Sequence, residues 1–166
     1  MSQQTMTEKE MFLRSFEKEY ETTMRLLQAY PEGKLELKPA EKSRPARDLI
    51  WTLVTDSGVM ADLIGGRINL EKMQAKPPAT LREMLSTYEK YQRDSVARIK
   101  SAPEEDFNKT VAFLVAPKKV ADMRRGDALW FVLSDVIHHR GQLSVYMRIA
   151  GAKVPSIYGP TADEPW

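Results

Sequence analysis

Apolar residues recur at three- and four-residue spacing in four stretches of the chain, the periodicity of helices that bury one face. Thr7 and Glu10 have capping-box spacing and predict the start of the first helix, whose stripe runs Phe12, Phe16, Tyr20, Thr23, Leu27 and Tyr30 before Pro31-Glu32-Gly33 stops it. A second helix is predicted from Ser43 to Pro45, where serine can cap and proline is tolerated in the first turn; it buries Leu49, Ile50, Leu53, Val54, Ala61 and Ile64 and ends at Gly65-Gly66. Gly58 inside it costs about 1 kcal/mol relative to alanine, which points to a bend or a close helix contact. Thr80 and Glu83 open a third helix that runs to about Lys100 ahead of Pro103, with Leu81, Met84, Leu85, Tyr88, Gln92, Val96 and Ile99 on its stripe. The last runs from about Arg125 to Ala150, with Leu129, Val132, Leu133, Val136, Leu143, Tyr146 and Ile149 inward and Gly151 as its stop.

Between the third and last helices the pattern loses its period. Residues 104 to 120, with Thr110 to Val115 at their centre, read as a short extended piece or an irregular excursion, with no pairing assigned. Four amphipathic helices with long connections predict an all-α four-helix bundle, a single domain over 1–166 with an irregular C-terminal tail. Polar residues that interrupt the inward stripes are then the candidates for chemistry.

Composition removes several function classes. The chain has no cysteine, which rules out disulfides, thiolate ligands and a cysteine nucleophile, and leaves a metal only nitrogen and oxygen donors. Lysine plus arginine number 25 against 23 acidic residues, a net charge of +2 that gives little attraction for nucleic acid. Lys118-Lys119 and Arg124-Arg125 read as solvated loop and helix-end charges. Met1 to Glu10 lacks the apolar run of a signal peptide and no stretch is long and apolar enough for a membrane span, so a cytoplasmic protein without a membrane partner is expected.

The two histidines, His138 and His139, are adjacent and diverge by about 100° around the helix, so they do not serve one centre together. His139 falls on the stripe between Val136 and Leu143, and His138 toward solvent. Asp135, four residues before His139, shares its face. The pair is half of a divalent-metal site or, equally, a carboxylate orienting an imidazole by hydrogen bonding.

The run Ile137-His138-His139-Arg140-Gly141-Gln142-Leu143-Ser144-Val145-Tyr146-Met147-Arg148, followed by Val154-Pro155-Ser156-Ile157-Tyr158-Gly159-Pro160-Thr161-Ala162-Asp163-Glu164, resembles the last helix and tail of the DinB-like (DNA-damage-inducible) family. Asp48 to Asp56 is similar, more weakly, to that family's second helix. The resemblance implies a four-helix bundle with a divalent-metal pocket, often three histidines binding zinc, nickel or iron, and frequently a homodimer; some members are thiol-dependent transferases. The family usually has one histidine on helix two and an His-x-x-x-His pair on helix four. Carried over, His139 matches the second of the pair, Asp135 stands at the first and Thr52 at the helix-two position. Asp56, one turn beyond Thr52, could add a carboxylate, and one histidine with two carboxylates would favour manganese or iron(II) over nickel or zinc.

Trp51 could line a substrate pocket or simply pack. Arg140 and Gln142 could hold an anionic substrate, but are expected instead to brace the loop after Gly151, and Tyr158 is expected to lie over the bundle near a pocket mouth. Three functions remain open: a divalent-metal-dependent hydrolase or thiol transferase with an altered site, a metal-free binder of a small molecule, and a structural dimer with a vestigial site.

Overall fold

In the computed structural model, residues 5–166 are described; Met1 to Gln4, part of the stretch read above for a signal peptide, lie outside them. The first helix, α1, spans Glu8–Gln28, and its capping box forms as predicted: Thr7 Oγ1 accepts from Glu10 N at 3.2 Å and Glu10 Oε2 accepts from Thr7 N at 2.9 Å. Helix α2 spans Ala46–Gly65 with Pro45 at its cap and no side-chain cap bond, so Ser43 does not cap it. Gly66 ends it in the left-handed region at φ 83°, a conformation glycine adopts without steric strain. A single turn, α3 (Leu70–Met73), interrupts the connection to α4 (Leu81–Ser101), which opens on the expected Thr80–Glu83 box. Helix α5 spans Arg125–Ile149.

The ambiguous segment resolves as a hairpin. Strand β1 (Thr110–Ala116) pairs antiparallel with β2 (Lys119–Arg124), with Val111 opposite Met123, Phe113 opposite Ala121 and an irregularity between Leu114 and Ala116. Val111 is buried and Phe113 partly so, whereas Leu114 is exposed: the period-2 alternation is present on β1, but only two inward positions carry it. Its base is clamped by residues the sequence had assigned to solvent. Arg124 bonds Glu8 at 2.8 Å and Asp127 at 2.7 Å, and Arg125 donates to the carbonyls of Ile64 at 2.8 Å and Thr110 at 3.2 Å.

Helix α2 packs on α4 and α5, and α1 on the same two, which sets α1 and α2 on one diagonal of a four-helix bundle. The core divides in two. One apolar cluster holds Tyr30, Trp51, Tyr88, Val136 and Tyr146; the other holds Phe12, Phe16, Leu63, Phe107 and Leu129. Each of the four long helices carries buried polar residues: Glu19, Thr22 and Thr23 on α1, Thr55 and Ser57 on α2 and Gln92 and Ser95 on α4, between the two clusters along the chain, and Arg140 on α5, between Val136 and Leu143 of the first cluster. The bundle therefore has a polar waist. Ile149, assigned to the inner stripe of α5, is exposed, and Met147 fills the core near that end. No helix among the described residues is long and apolar enough to cross a membrane.

Candidate functional site

Asp56 on α2 and Asp135 on α5 stand at the level of this waist and line one pocket of about 610 Å³. Apart from its polar end the wall is largely apolar: Val59 from α2, Ile68, Leu70 and Met73 from the α3 region, Val111, Phe113, Leu114 and Val120 from the hairpin, Phe131 and Val132 from α5. Phe113 and Phe131 meet edge to face at 5.6 Å between ring centres, which ties the hairpin to α5. The pocket is of a size that takes a small organic molecule.

The polar end has unequal partners. Oδ2 of Asp56 is buried without a hydrogen-bond partner. Burial first, then the charge of Asp135, pushes the Asp56 carboxyl up to about 8, while Arg44 pulls it the other way. Asp135 Oδ2 lies 3.2 Å from His139 Nε2, the i, i+4 contact expected from their spacing. The other ring nitrogen of His139 lies 3.2 Å from Gln142 Oε1, and Gln142 Nε2 lies 2.9 Å from Nε2 of exposed His138. Gln142 thus bridges the two imidazoles and does not brace the loop after Gly151.

Thr52 is engaged elsewhere. Its hydroxyl donates to the Asp48 carbonyl at 3.0 Å and accepts from the Arg44 guanidinium at 3.0 Å. A fixed positive charge on this oxygen works against a second cation beside it. Among the described residues no group of three or more histidine, aspartate or glutamate side chains converges in a geometry that could hold an ion. The donors Asp56, Asp135, His139 and Thr52 therefore do not fit a preassembled divalent-metal centre.

Trp51 is packed in the first apolar cluster, donates Nε1 to the Ala75 carbonyl at 2.6 Å and does not line the pocket. Arg140 turns inward, away from the loop it was expected to brace: Nη1 lies 2.5 Å from Glu19 Oε2 and 3.2 Å from Thr23 Oγ1. Tyr158 comes in from the tail, accepting from Arg140 Nη2 at 2.6 Å and donating to Glu19 Oε2 at 2.8 Å, so it seals the waist and not the pocket mouth. The sequence reading missed Glu19 and Arg44. Glu19 had a signal, a carboxylate three residues after Phe16 and four before Thr23 on an inward stripe; Arg44, in a linker, had none.

The DinB family model matches residues 1–165. The uncharacterised protein YrdA of Bacillus subtilis (strain 168) is 25% identical over 154 residues, which covers 92% of this chain and 89% of YrdA. The crystal structure of a DinB-like protein from Bacillus cereus ATCC 10987 superposes with a TM-score of 0.76 at 25% identity, covering 89% of this chain and 95% of that one. A mycothiol-dependent maleylpyruvate isomerase shares the fold more distantly, with a TM-score of 0.54 at 14% identity over 84% of this chain and 63% of its own. With the family model matched over residues 1–165, the chain belongs to the DinB family.

Proposed function

We propose that the protein binds a small organic molecule in the pocket between the hairpin, α2 and α5, and presents its polar group to Asp56 and Asp135, with His139 behind Asp135 and without a preassembled metal. The observation that carries this reading is the Asp56 carboxyl: it lines a largely apolar pocket beside Asp135, has an oxygen with no protein partner and is pushed up to about 8 by burial. A carboxylic acid that keeps its proton near neutral pH, beside a second carboxyl that is itself held by an imidazole, is equipped to give and take a proton from a bound ligand. Exposed Phe131, Val145 and Ile149 on α5 support a homodimer built on that helix.

A second reading, a divalent-metal-dependent hydrolase or thiol transferase, draws on the juxtaposition of Asp56 and Asp135 beside His139 and on the thiol-dependent reaction of the distant fold relative. It requires Arg44 to leave Thr52. The test is titration of EDTA-treated protein with Nile red, a neutral dye that brightens in apolar surroundings, beside Met73→Trp, which enlarges an exposed side chain of the pocket wall. Saturable one-to-one binding that the variant loses is expected. Binding that the variant leaves intact would place the apolar site elsewhere.

A further inference from the structure

The pocket has strongly different ends, and this restricts what can occupy it. Its body is built from side chains that offer no hydrogen bond, with Phe113 and Phe131 forming an aromatic corner. Its polar end offers carboxyl oxygens from Asp56 and Asp135. Among the described residues the one basic side chain in the wall, Arg67, is exposed on the loop after α2, while Arg44 is held at Thr52 and lies outside the lining. His139 meets Asp135 from outside the lining, at 3.2 Å, and leaves Asp56 Oδ2 without a donor.

An apolar neutral ligand would cover these carboxyls without offering them a donor, which is costly, and an anion would meet charge of its own sign. An ammonium, with several N–H donors and a positive charge, pairs with the Asp135 carboxylate and favours loss of the proton that Asp56 keeps in the free protein, and so meets both carboxyls at once. From this charge complementarity we propose that the ligand is an organic amine with an apolar, aromatic-sized body, its ammonium at Asp56 and Asp135 and its body against Phe113 and Phe131. The inference rests on the pocket reading above and adds the sign of the ligand's charge and where it sits. Oxygen acceptors at one end and apolar walls around the rest divide recognition in the usual way, with orientation from the polar contacts and most of the affinity from burial.

Three probes of one shape separate the possibilities: phenylbutylamine, phenylbutanol and phenylbutyrate, titrated calorimetrically into EDTA-treated full-length protein. The expected result is that the amine binds at least tenfold tighter than the alcohol and that the carboxylate does not bind. Asp135→Asn should erase the preference for the amine while retaining the alcohol. Equal or tighter binding of the alcohol to wild type would overturn the amine assignment and leave the pocket reading standing, and this comparison needs no variant to fold. Loss of amine preference in wild type once EDTA is replaced by excess manganese would assign the carboxyls to an inorganic cation and also overturn the proposal. Failure of all three probes to bind would overturn the pocket reading itself.

Discussion

Arg140 on α5 and Glu19 on α1 form an ion pair inside the polar waist, Nη1 to Oε2 at 2.5 Å, with Arg140 only 1% exposed. Tyr158 bonds both partners and so ties the C-terminal tail to two helices. A buried pair of this kind adds little net stability over an apolar replacement, but breaking it strands a charge.

Glu19→Gln is therefore expected to destabilise by about 3–5 kcal/mol, because it leaves Arg140 buried without its counter-charge. Tyr158→Phe removes one hydroxyl from the same network and should cost about 1.5–3 kcal/mol. Urea denaturation of the two variants checks the order; a larger loss for Tyr158→Phe would mean that the tail, not the ion pair, organises the waist.

Asp56 gives a pH dependence of defined sign. Its carboxyl is raised from 3.8 to about 8, so between those values the unfolded chain loses a proton that the folded protein keeps. Stability falls as pH rises through this window, by at most about 1.4 kcal/mol per pH unit from this group, and levels off above 8. Asp56→Asn removes the effect. Its melting temperature relative to wild type should rise from pH 5 to pH 8 in EDTA; a difference that stays constant would show that Asp56 is ionised in the folded state throughout.

Gly58 is required by a close approach. A Cβ there would lie 2.6 Å from Tyr91 Cδ2 and 2.8 Å from Lys72 Cε, where Lys72 donates to the Gly58 carbonyl at 2.6 Å and sits 4.6 Å from the Tyr91 ring centre. Gly58→Ala gains about 1 kcal/mol of helix propensity and loses about 1–3 kcal/mol to overpacking. Net destabilisation is expected in wild type, and stabilisation in a Lys72→Ala/Tyr91→Ala background. The same sign in both backgrounds would remove the packing explanation.

The four long helices were legible because their stripes are long and their stops are proline and glycine; Thr7 and Thr80 even announced their caps. The hairpin was not, since Val111 and Phe113 are too short an alternation to separate from an irregular loop, and its partner strand carries Lys119, Asp122 and Arg124. At the site, Asp135 and His139 were readable from i, i+4 spacing on one helix. The environment of Asp56 was not readable, because its burial depends on a hairpin more than fifty residues away and on a helix that begins at Arg125. Trp51 shows the converse: it is close to the candidate residues in sequence, but its indole points to the Ala75 carbonyl.

The central claim is that protein side chains alone organise the polar end of the pocket. Calorimetric titration of chelator-treated protein with manganese, iron(II), nickel and zinc tests it most directly, run beside His139→Ala and the double variant Thr52→His/Asp135→His. The account expects no micromolar one-to-one uptake by wild type, and uptake of nickel or zinc only by the double variant, in which imidazoles at positions 52 and 135 join His139 to make three. Micromolar one-to-one binding by wild type, lost in His139→Ala, would contradict it and make this altered set of donors a working metal centre.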